Sequence, residues 1–323
     1  MKSQTPQPTR PQPPKLQLTP RHPVKLQLTT QQLDYLVAVA DAPTWADAAV
    51  SLGVTPSALS QGLTELERRL GIPLFERVGR RRVIATSVAP VVDYARSVMA
   101  QTGDLGRWIA STRGGSIGSL RLGMIDAAAV HHFSDELLQF RLARPEVSFD
   151  LHVAPSGELL RQLTADELDV AIAVRPSEQP PSLDFTVLMT EPLAIYAPTA
   201  PAGADQPSPV TAPADRWGPW VFFPTTSHTR QLIDAALSAL GAPIDTVAES
   251  NQPDVLREMV RLGLGWTVLP VVQAETGEQP LQRVRPEPLL ERTLVIARRR
   301  GAIANVLVDE LLELLRSDGH WQS

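Results

Sequence analysis

The sequence predicts an α/β protein built from a small N-terminal module, a linker helix and a two-lobed C-terminal domain. Three observations support this prediction. Short helical patterns lead into a glycine-centred hairpin, apolar residues then recur every seven positions, and strands alternate with helices from Ser119 onward. Because 323 residues exceed what one hydrophobic core normally supports, we expect several domains. We place their boundaries at residues 1–27, 28–86, 87–117 and 118–323.

Residues 1–27 predict a disordered tail. Seven prolines lie there among Gln, Thr and Lys, and such a segment buries too little apolar surface to offset the entropy lost on ordering. Its five positive charges leave two interpretations open, contact with a polyanion or a solvated tail without a specific role.

Three helices follow, and each begins with a recognisable cap. Thr29 and Gln32 form a capping box at the start of the first helix, and Thr44 can cap the second. The third opens at Thr55-Pro56, because threonine caps well and proline suits the first helical position. That helix is predicted to end at Leu70.

Two short strands, Leu74–Arg77 and Arg82–Ala85, surround Gly79 and predict a β-hairpin. Three helices followed by a hairpin make a winged helix-turn-helix, in which the third helix enters the major groove of double-stranded DNA. The charge distribution agrees with this interpretation. Residues 1–90 carry 11 Lys and Arg against 6 Asp and Glu, whereas residues 91–323 carry 19 against 29.

The candidate DNA-contacting residues come from the start of the third helix and from the hairpin. Gln61 can bond both polar atoms of an adenine edge, hydroxyl groups suit phosphates or bases, and arginines suit phosphates. The alternative is that the arginines are a solvated surface of a module that binds no DNA. The candidates are Thr55, Pro56, Ser57, Ser60, Gln61, Arg77, Arg80, Arg81 and Arg82.

The linker helix after Thr86 shows an apolar seven-residue repeat. The repeat predicts pairing with an identical helix, and the alternative is an amphipathic helix packed on its own domain. Gly114 to Gly118 predict a flexible joint beyond it. The repeating positions are Val88, Val91, Ala95, Val98, Thr102, Leu105 and Ile109.

The C-terminal domain shows two rounds of strand and helix alternation, which predict parallel strands in two lobes with a cleft between them. The predicted strands are Ser119–Met124, Ser148–Ala154, Leu168–Val174, Trp220–Phe223, Ile244–Glu249, Trp266–Leu269 and Arg292–Ala297. The predicted helices are His131–Leu142, Ser156–Leu163, Ser227–Leu240, Pro253–Leu262 and Ile303–Leu315.

Ligands of two-lobed α/β domains bind between the lobes at the carboxyl ends of strands. The residues expected there are Asp126, Ser156, Arg175, Thr225, Thr226 and Ser227. Asp126 suits an amine or cationic ligand, or else it caps the following helix. Ser227 can cap a helix whose free N–H groups favour anions, and the threonines either contact the ligand or make loop hydrogen bonds.

Several classes of chemistry are not expected. The chain has no cysteine, which excludes disulfides and thiolate chemistry and fits a reducing cytoplasm. We find no metal-ligand spacing, no catalytic motif, no cofactor fingerprint, no secretory signal and no transmembrane stretch. We therefore expect no enzyme activity, no metal, no cofactor and no membrane partner.

Residues 28–89 closely resemble the DNA-binding domain of LysR-type transcriptional regulators. The residues that carry the resemblance are Leu33, Tyr35, Ala48-Ala49, Leu52, Thr55, Ala58-Leu59-Ser60, Leu63, Leu66-Glu67, Leu70-Gly71, Pro73-Leu74-Phe75, Arg77, Arg80 and Thr86. At lower specificity it extends to Gly118–Gly123, Leu137–Pro145, Leu168–Ile172 and Leu262–Pro270.

This resemblance implies a homodimer joined by the linker helix, often a tetramer, that responds to a small-molecule effector in a domain like the type 2 periplasmic binding proteins. Pro56 departs from the family's usual glutamine, and Asp126 is followed by alanines where the family often has a hydroxyl residue. Gly62 weakens the recognition helix by about 1 kcal/mol relative to alanine. Two other functions stay open: a constitutive repressor or architectural protein with a vestigial cleft, and an enzyme using the α/β lobes.

Overall fold

A computed structural model describes residues 26–79, 81–114, 118–198 and 213–317. The chain divides into two compact units, Met1–Val88 and Ala89–Ser323, and each is described by itself. The predicted tail lies almost wholly outside the described residues.

The first unit contains the three predicted helices, α1 (Thr30–Asp41), α2 (Trp45–Ser51) and α3 (Pro56–Leu70). The capping box is confirmed, because the Thr29 hydroxyl accepts from the Gln32 amide at 3.2 Å while the Gln32 side chain accepts from the Thr29 amide. Thr44 and Thr55 cap α2 and α3, as predicted. Gly71 ends α3 in the left-handed conformation.

Gly62 has a packing reason inside α3. A Cβ atom at this position would lie 2.7 Å from two ring carbons of Tyr35, which is buried on α1. The ring therefore packs directly on the helix backbone. Glycine is present here despite its lower helix propensity because it allows this close approach between α1 and α3.

The hairpin consists of β1 (Phe75–Val78) and β2 (Arg81–Ile84), paired antiparallel with Phe75 opposite Ile84. Gly79 supplies the positive φ of 64° that the tight turn requires. The Trp45 indole donates to the Arg82 carbonyl at 3.1 Å, so α2 supports the hairpin.

The second unit begins with α4 (Ala89–Gly114), a helix of 26 residues and about 39 Å. A 3-10 turn over Thr86–Val88 precedes it. The sequence suggests Thr86 as the cap of the long helix, but this turn separates Thr86 from the helix start. The heptad positions do not share one environment. Ala95 is buried in the single chain, whereas Leu105 is 46% exposed.

The first lobe contains three parallel strands and two helices around one apolar core. In chain order these elements are β3 (Ser119–Met124), α5 (Ser134–Ala143), β4 (Ser148–Val153), α6 (Ser156–Thr164) and β5 (Val170–Val174).

The rest of the chain builds the second lobe and returns to the first. Its elements are β6 (Leu183–Tyr196), β7 (Trp220–Phe222), α7 (His228–Ala239), β8 (Thr246–Glu249), α8 (Pro253–Arg261), β9 (Thr267–Pro270), α9 (Val271–Ala274), β10 (Leu290–Arg299) and α10 (Val306–Ser317). A second apolar core forms around β7 and β9.

The sheet order β4-β3-β5-β10-β6-β9 corrects the prediction of purely parallel strands. The strand β6 was not predicted, and it pairs antiparallel with β10 over its length. Its first residues pack in the first-lobe core and its last in the second. No single hydrophobic period therefore describes it, and Pro192 interrupts its pattern.

The helix predicted over His131–Leu142 is also wrong at its start. A π-helical turn spans Ala128–His132, and α5 begins only at Ser134. Phe133 separates the two with φ −131° and is buried in the core. Burial of that ring and a contact from His132 to Glu191 outweigh continuation of a regular helix.

Candidate nucleic-acid interface and ligand cleft

The outer face of α3 presents the predicted base-reading side chains. Pro56, Ser57 and Gln61 are exposed, and Ser60 is half-buried. The exposed Thr55 hydroxyl caps the helix, because it accepts from the Ala58 amide at 3.2 Å. The exposed candidates therefore follow one helical face.

Thr64 was missed by the sequence reasoning. It is exposed and lies three residues after Gln61, so it extends the same face. The signal that could have found it is the helical spacing of Ser57, Gln61 and Thr64.

The structure gives Arg82 a place inside the module that the sequence did not predict. Its guanidinium lies over the rings of Trp45 and Phe75, at 5.0 and 4.5 Å from their centroids. It also donates to Glu67 Oε2 at 2.8 Å. These contacts attach the hairpin to α2 and α3 and leave Arg82 only about one-third exposed.

Glu67 is the centre of this attachment. Its Oε1 atom accepts from the amides of Leu74 and Phe75 at 2.9 and 3.3 Å, while Oε2 accepts from Arg82. One carboxylate thus attaches both strands of the hairpin to α3. The sequence reasoning used Glu67 only as part of a family resemblance.

The remaining arginines differ in their surroundings. Arg77 is exposed on β1, Arg80 lies outside the described residues, and for Arg81 only the backbone is described. At the end of α3, Arg68 and Arg69 hydrogen-bond to Glu65. The hydrogen bonds from these two arginines lower the pKa of Glu65 to about 2.

In the second unit, Asp126 follows β3 and reaches the other lobe. Its Oδ1 atom accepts from the Gln273 side chain on α9 at 2.5 Å. The interpretation of Asp126 as a helix cap is wrong, because Ala127 holds the N-cap position of the next turn without a side-chain cap. The two lobes are therefore bridged at the end of β3.

A buried polar cluster also crosses between the lobes. His132 Nε2 lies 2.8 Å from Glu191 Oε1, and Arg292 donates to Glu191 Oε2 at 2.6 Å and to the Thr229 hydroxyl at 2.8 Å. Burial would raise the pKa of Glu191, but the charge on Arg292 and the hydrogen bonds of His132 and Arg292 outweigh it. The pKa of Glu191 is lowered as a result.

The other predicted cleft residues play unequal parts. Ser156 is buried, and its hydroxyl accepts from the Val174 amide at 3.0 Å, so it joins α6 to β5. Ser227 occupies the N-cap position of α7 without making a side-chain cap. Arg175, Thr225 and Thr226 are exposed at the ends of β5 and β7.

Gln273 was not predicted as a cleft residue, whereas His228 directly follows the predicted Ser227. His228 opens α7, and its Nδ1 atom is buried without a hydrogen-bond partner among the described residues. Gln273 is buried and carries the bridge to Asp126. Only the fold brings α9 to β3, so no local pattern could have indicated Gln273.

A cavity of about 520 Å³ lies away from the cleft, between α4 and the first lobe. Four arginines line it, and each is paired with a carboxylate. Within the described part of the chain, no group of three or more His, Asp or Glu side chains could hold a metal ion. No helix there is long and apolar enough to cross a bilayer.

Two family models match the chain. The bacterial regulatory helix-turn-helix protein model of the lysR family matches residues 30–89, and the LysR substrate binding domain model matches residues 113–319.

Curated relatives are similar over nearly the whole chain. The transcriptional regulator IlvR of Caulobacter vibrioides is 29% identical, covering 90% of this chain and 98% of that protein. The DNA-binding transcriptional dual regulator OxyR of Escherichia coli is 29% identical, with coverages of 91% and 97%.

Solved structures share the fold. A full-length OxyR variant from Pseudomonas aeruginosa superposes with a TM-score of 0.60 at 22% identity, covering 90% of this chain and 98% of that one. Full-length CbnR complexed with its target DNA gives 0.57 at 18% identity, with coverages of 90% and 99%. The matching models span both units, and the chain therefore belongs to the LysR family of transcriptional regulators, with a helix-turn-helix domain and an effector-binding domain.

Proposed function

We propose that α3 reads base edges in the major groove through Ser57, Ser60, Gln61 and Thr64. The exposed face of α3 carries this proposal, since these side chains are held on one side of a capped, well-packed helix. Gln61 has the chemistry for an adenine edge, and the hydroxyls suit bases or phosphates. Pro56 has no donor and contributes shape only.

Phosphate contacts come from the hairpin in this proposal. Arg77 is exposed on β1, Arg81 begins β2, and Arg80 precedes Arg81 in the sequence, so all three suit the DNA backbone. Arg82 acts differently from its neighbours, because its guanidinium is held by Trp45, Phe75 and Glu67. It positions the hairpin instead of contacting DNA.

The test measures binding of the full chain to a fragment selected from random genomic DNA, at stated salt concentrations. Gln61→Ala should lose about 1–3 kcal/mol of discrimination at one base position per half-site. Arg77→Ala should weaken binding to all sequences alike and reduce the salt slope by about one. Gln101→Ala on α4 is the matched control. Unchanged base preference in Gln61→Ala would show that Gln61 is not a base reader.

We propose that the effector binds between the lobes, next to the Asp126–Gln273 bridge. A ligand that replaces this bridge must interact with a carboxylate, which favours an amine or cationic group over an acid. Arg175, Thr225, Thr226 and His228 supply further polar groups near the strand ends. Because this chain has no cysteine, a thiol cannot carry the signal. No catalytic role is proposed for the lobes.

Thermal shift with paired amines and carboxylic acids tests this site. Amines should raise Tm of the wild type and lose that effect in Asp126→Asn, whereas acids should not stabilise either protein. Asp184→Asn is the control, since Asp184 pairs with Arg300 at the surface. If no compound shifts Tm, a constitutive repressor or architectural protein with a vestigial cleft becomes the better explanation.

We also propose self-association through the exposed apolar side of α4, in the cytoplasm where the DNA lies. Tyr94, Leu105 and Trp108 are about half exposed in the single chain, a large apolar surface for one helix. Leu105→Glu should convert a dimer or tetramer to smaller species by light scattering. Asp93→Ala, at an exposed polar position of the same helix outside the seven-residue repeat, is the control, and unchanged mass in Leu105→Glu would contradict this surface.

A further inference from the structure

Six charged side chains join α4 to the first lobe, and we call them the clasp. Two belong to α4, and four belong to the strands and loops of the lobe. Its members are Asp104, Arg107, Arg121, Asp166, Asp169 and Arg299.

Two carboxylates share two guanidinium groups at the centre of the clasp. Asp104 Oδ1 accepts from Arg107 at 2.6 Å and from Arg299 at 2.8 Å. Asp166 Oδ1 accepts from the same two arginines, at 2.7 Å each. Each arginine therefore bridges a carboxylate of α4 to one of the lobe.

The lobe side is held by a second pair of contacts. Arg121 on β3 donates to Asp169 Oδ1 at 2.7 Å, and the other oxygen of Asp169 accepts from the Arg121 amide at 2.8 Å. Arg121 also bonds to the Asp166 carbonyl at 2.5 Å. Asp166 is thus fixed from its backbone as well as its side chain, and it has a positive φ of 63°.

The helix approaches Asp166 closely because α4 has a glycine at that point. A Cβ at Gly103 would lie 2.7 Å from Asp166 Oδ2. One turn later, a Cβ at Gly106 would meet nothing within 4 Å. Gly103 is therefore required by the contact, whereas Gly106 is not.

Burial makes the clasp hard to separate. The side chains of Asp104 and Arg299 are 9% and 8% exposed. Pulling α4 away would leave charges without partners in a poorly hydrated place, which is strongly unfavourable.

We propose that the clasp makes α4 and the first lobe one mechanical body, so that any displacement of this lobe is carried into the linker helix. The glycines at 114 and 118 predicted a free joint, but the clasp holds α4 seven or more residues before it. The second lobe, which meets the first through β6, β10 and the Asp126–Gln273 bridge, is then the part that moves in a response.

Two glycine substitutions in the full chain give opposite expectations in hydrogen exchange. Gly106→Ala should slow exchange of α4 amides about threefold to fivefold, since it only adds helix propensity. Gly103→Ala adds the same propensity but pushes Asp166 away, so α4 amides should exchange at least fivefold faster. Slower exchange in both variants would overturn the proposal.

A charge variant tests the clasp without adding an atom. Asp166→Asn keeps the side-chain size and tolerates the positive φ, and it removes the charge and turns one acceptor oxygen into an NH2 donor. Exchange of the α4 amides around Asp104 should accelerate at least tenfold in this variant, while exchange of the β5 amides stays unchanged. In the control Asp184→Asn, exchange of the α4 amides should also stay unchanged. Equal acceleration in β5, or none in α4, would show that the clasp does not hold the helix.

Discussion

Glu67→Ala should release the hairpin from the helical module. The substitution removes the acceptor of the Leu74 amide at 2.9 Å and of the Arg82 guanidinium at 2.8 Å. A hydrogen bond to a charged group contributes about 1.5–3 kcal/mol, and the partly exposed ion pair adds at most about 1 kcal/mol. We expect the free energy of opening of the hairpin to fall by about 2–3 kcal/mol.

Hydrogen exchange of peptides covering β1 and β2 measures this opening in the full chain. A loss of this size accelerates amide exchange roughly 30- to 140-fold, since 1.4 kcal/mol corresponds to a factor of ten. Glu67→Gln keeps an acceptor for the Leu74 amide and loses the charge, so its acceleration should be intermediate.

Glu76→Ala is the matched control, because Glu76 is exposed on the same hairpin. In Glu76→Ala, exchange of the β1 and β2 amides should stay within about twofold of the wild type. If Glu67→Ala exchanged no faster than Glu76→Ala, the hairpin would be held by Trp45 and the apolar contacts of Phe75, and the reasoning from the carboxylate would be refuted.

Two further variants test packing and charge. Gly62→Ala should speed amide hydrogen exchange in α3. The reason is that overpacking against Tyr35 costs about 1–3 kcal/mol, whereas the higher helix propensity of alanine contributes only about 1 kcal/mol. In a Tyr35→Ala background the same substitution should slow amide exchange. Glu191→Gln should lower the calorimetric stability by about 3–5 kcal/mol at neutral pH, since it breaks a buried ion pair. The folded pKa of Glu191 lies below 4.5, so the stabilisation is present above pH 4.5 and lost as the pH falls toward that pKa. Parallel stability curves for the wild type and Glu191→Gln would contradict this.

The helical module could be predicted almost completely from the sequence. Its elements are short, and each start depends on a local signal such as Thr29 with Gln32 or Thr55 before Pro56. The function was also accessible, since a capped third helix and a basic hairpin are local features of a DNA-binding module. The reason for a glycine at position 62 could not be predicted, because it is the close packing of the Tyr35 ring on another helix.

The strands and helices of the lobes were predicted where the hydrophobic period and the residue composition indicate the same type of element. The strand β3 has the predicted bounds, and its first residues already carried the family resemblance. The strand β6 was not predicted, because its two halves pack in different hydrophobic cores. The π-turn before α5 was not predicted, because His132 contacts Glu191, which lies 59 residues away in the sequence.

The sequence alone determined the class of protein and the order of its parts, and it predicted most of the exposed side chains of α3, because these depend on contacts between near neighbours in the chain. Tertiary structure decided which charged residues position other parts: Arg82 holds the hairpin, Asp126 bridges the lobes, and Asp104 joins α4 to the first lobe. An exposed arginine and a paired one look alike in sequence. Their partners come from elements distant in the chain, and only the packed fold brings them within hydrogen-bond distance.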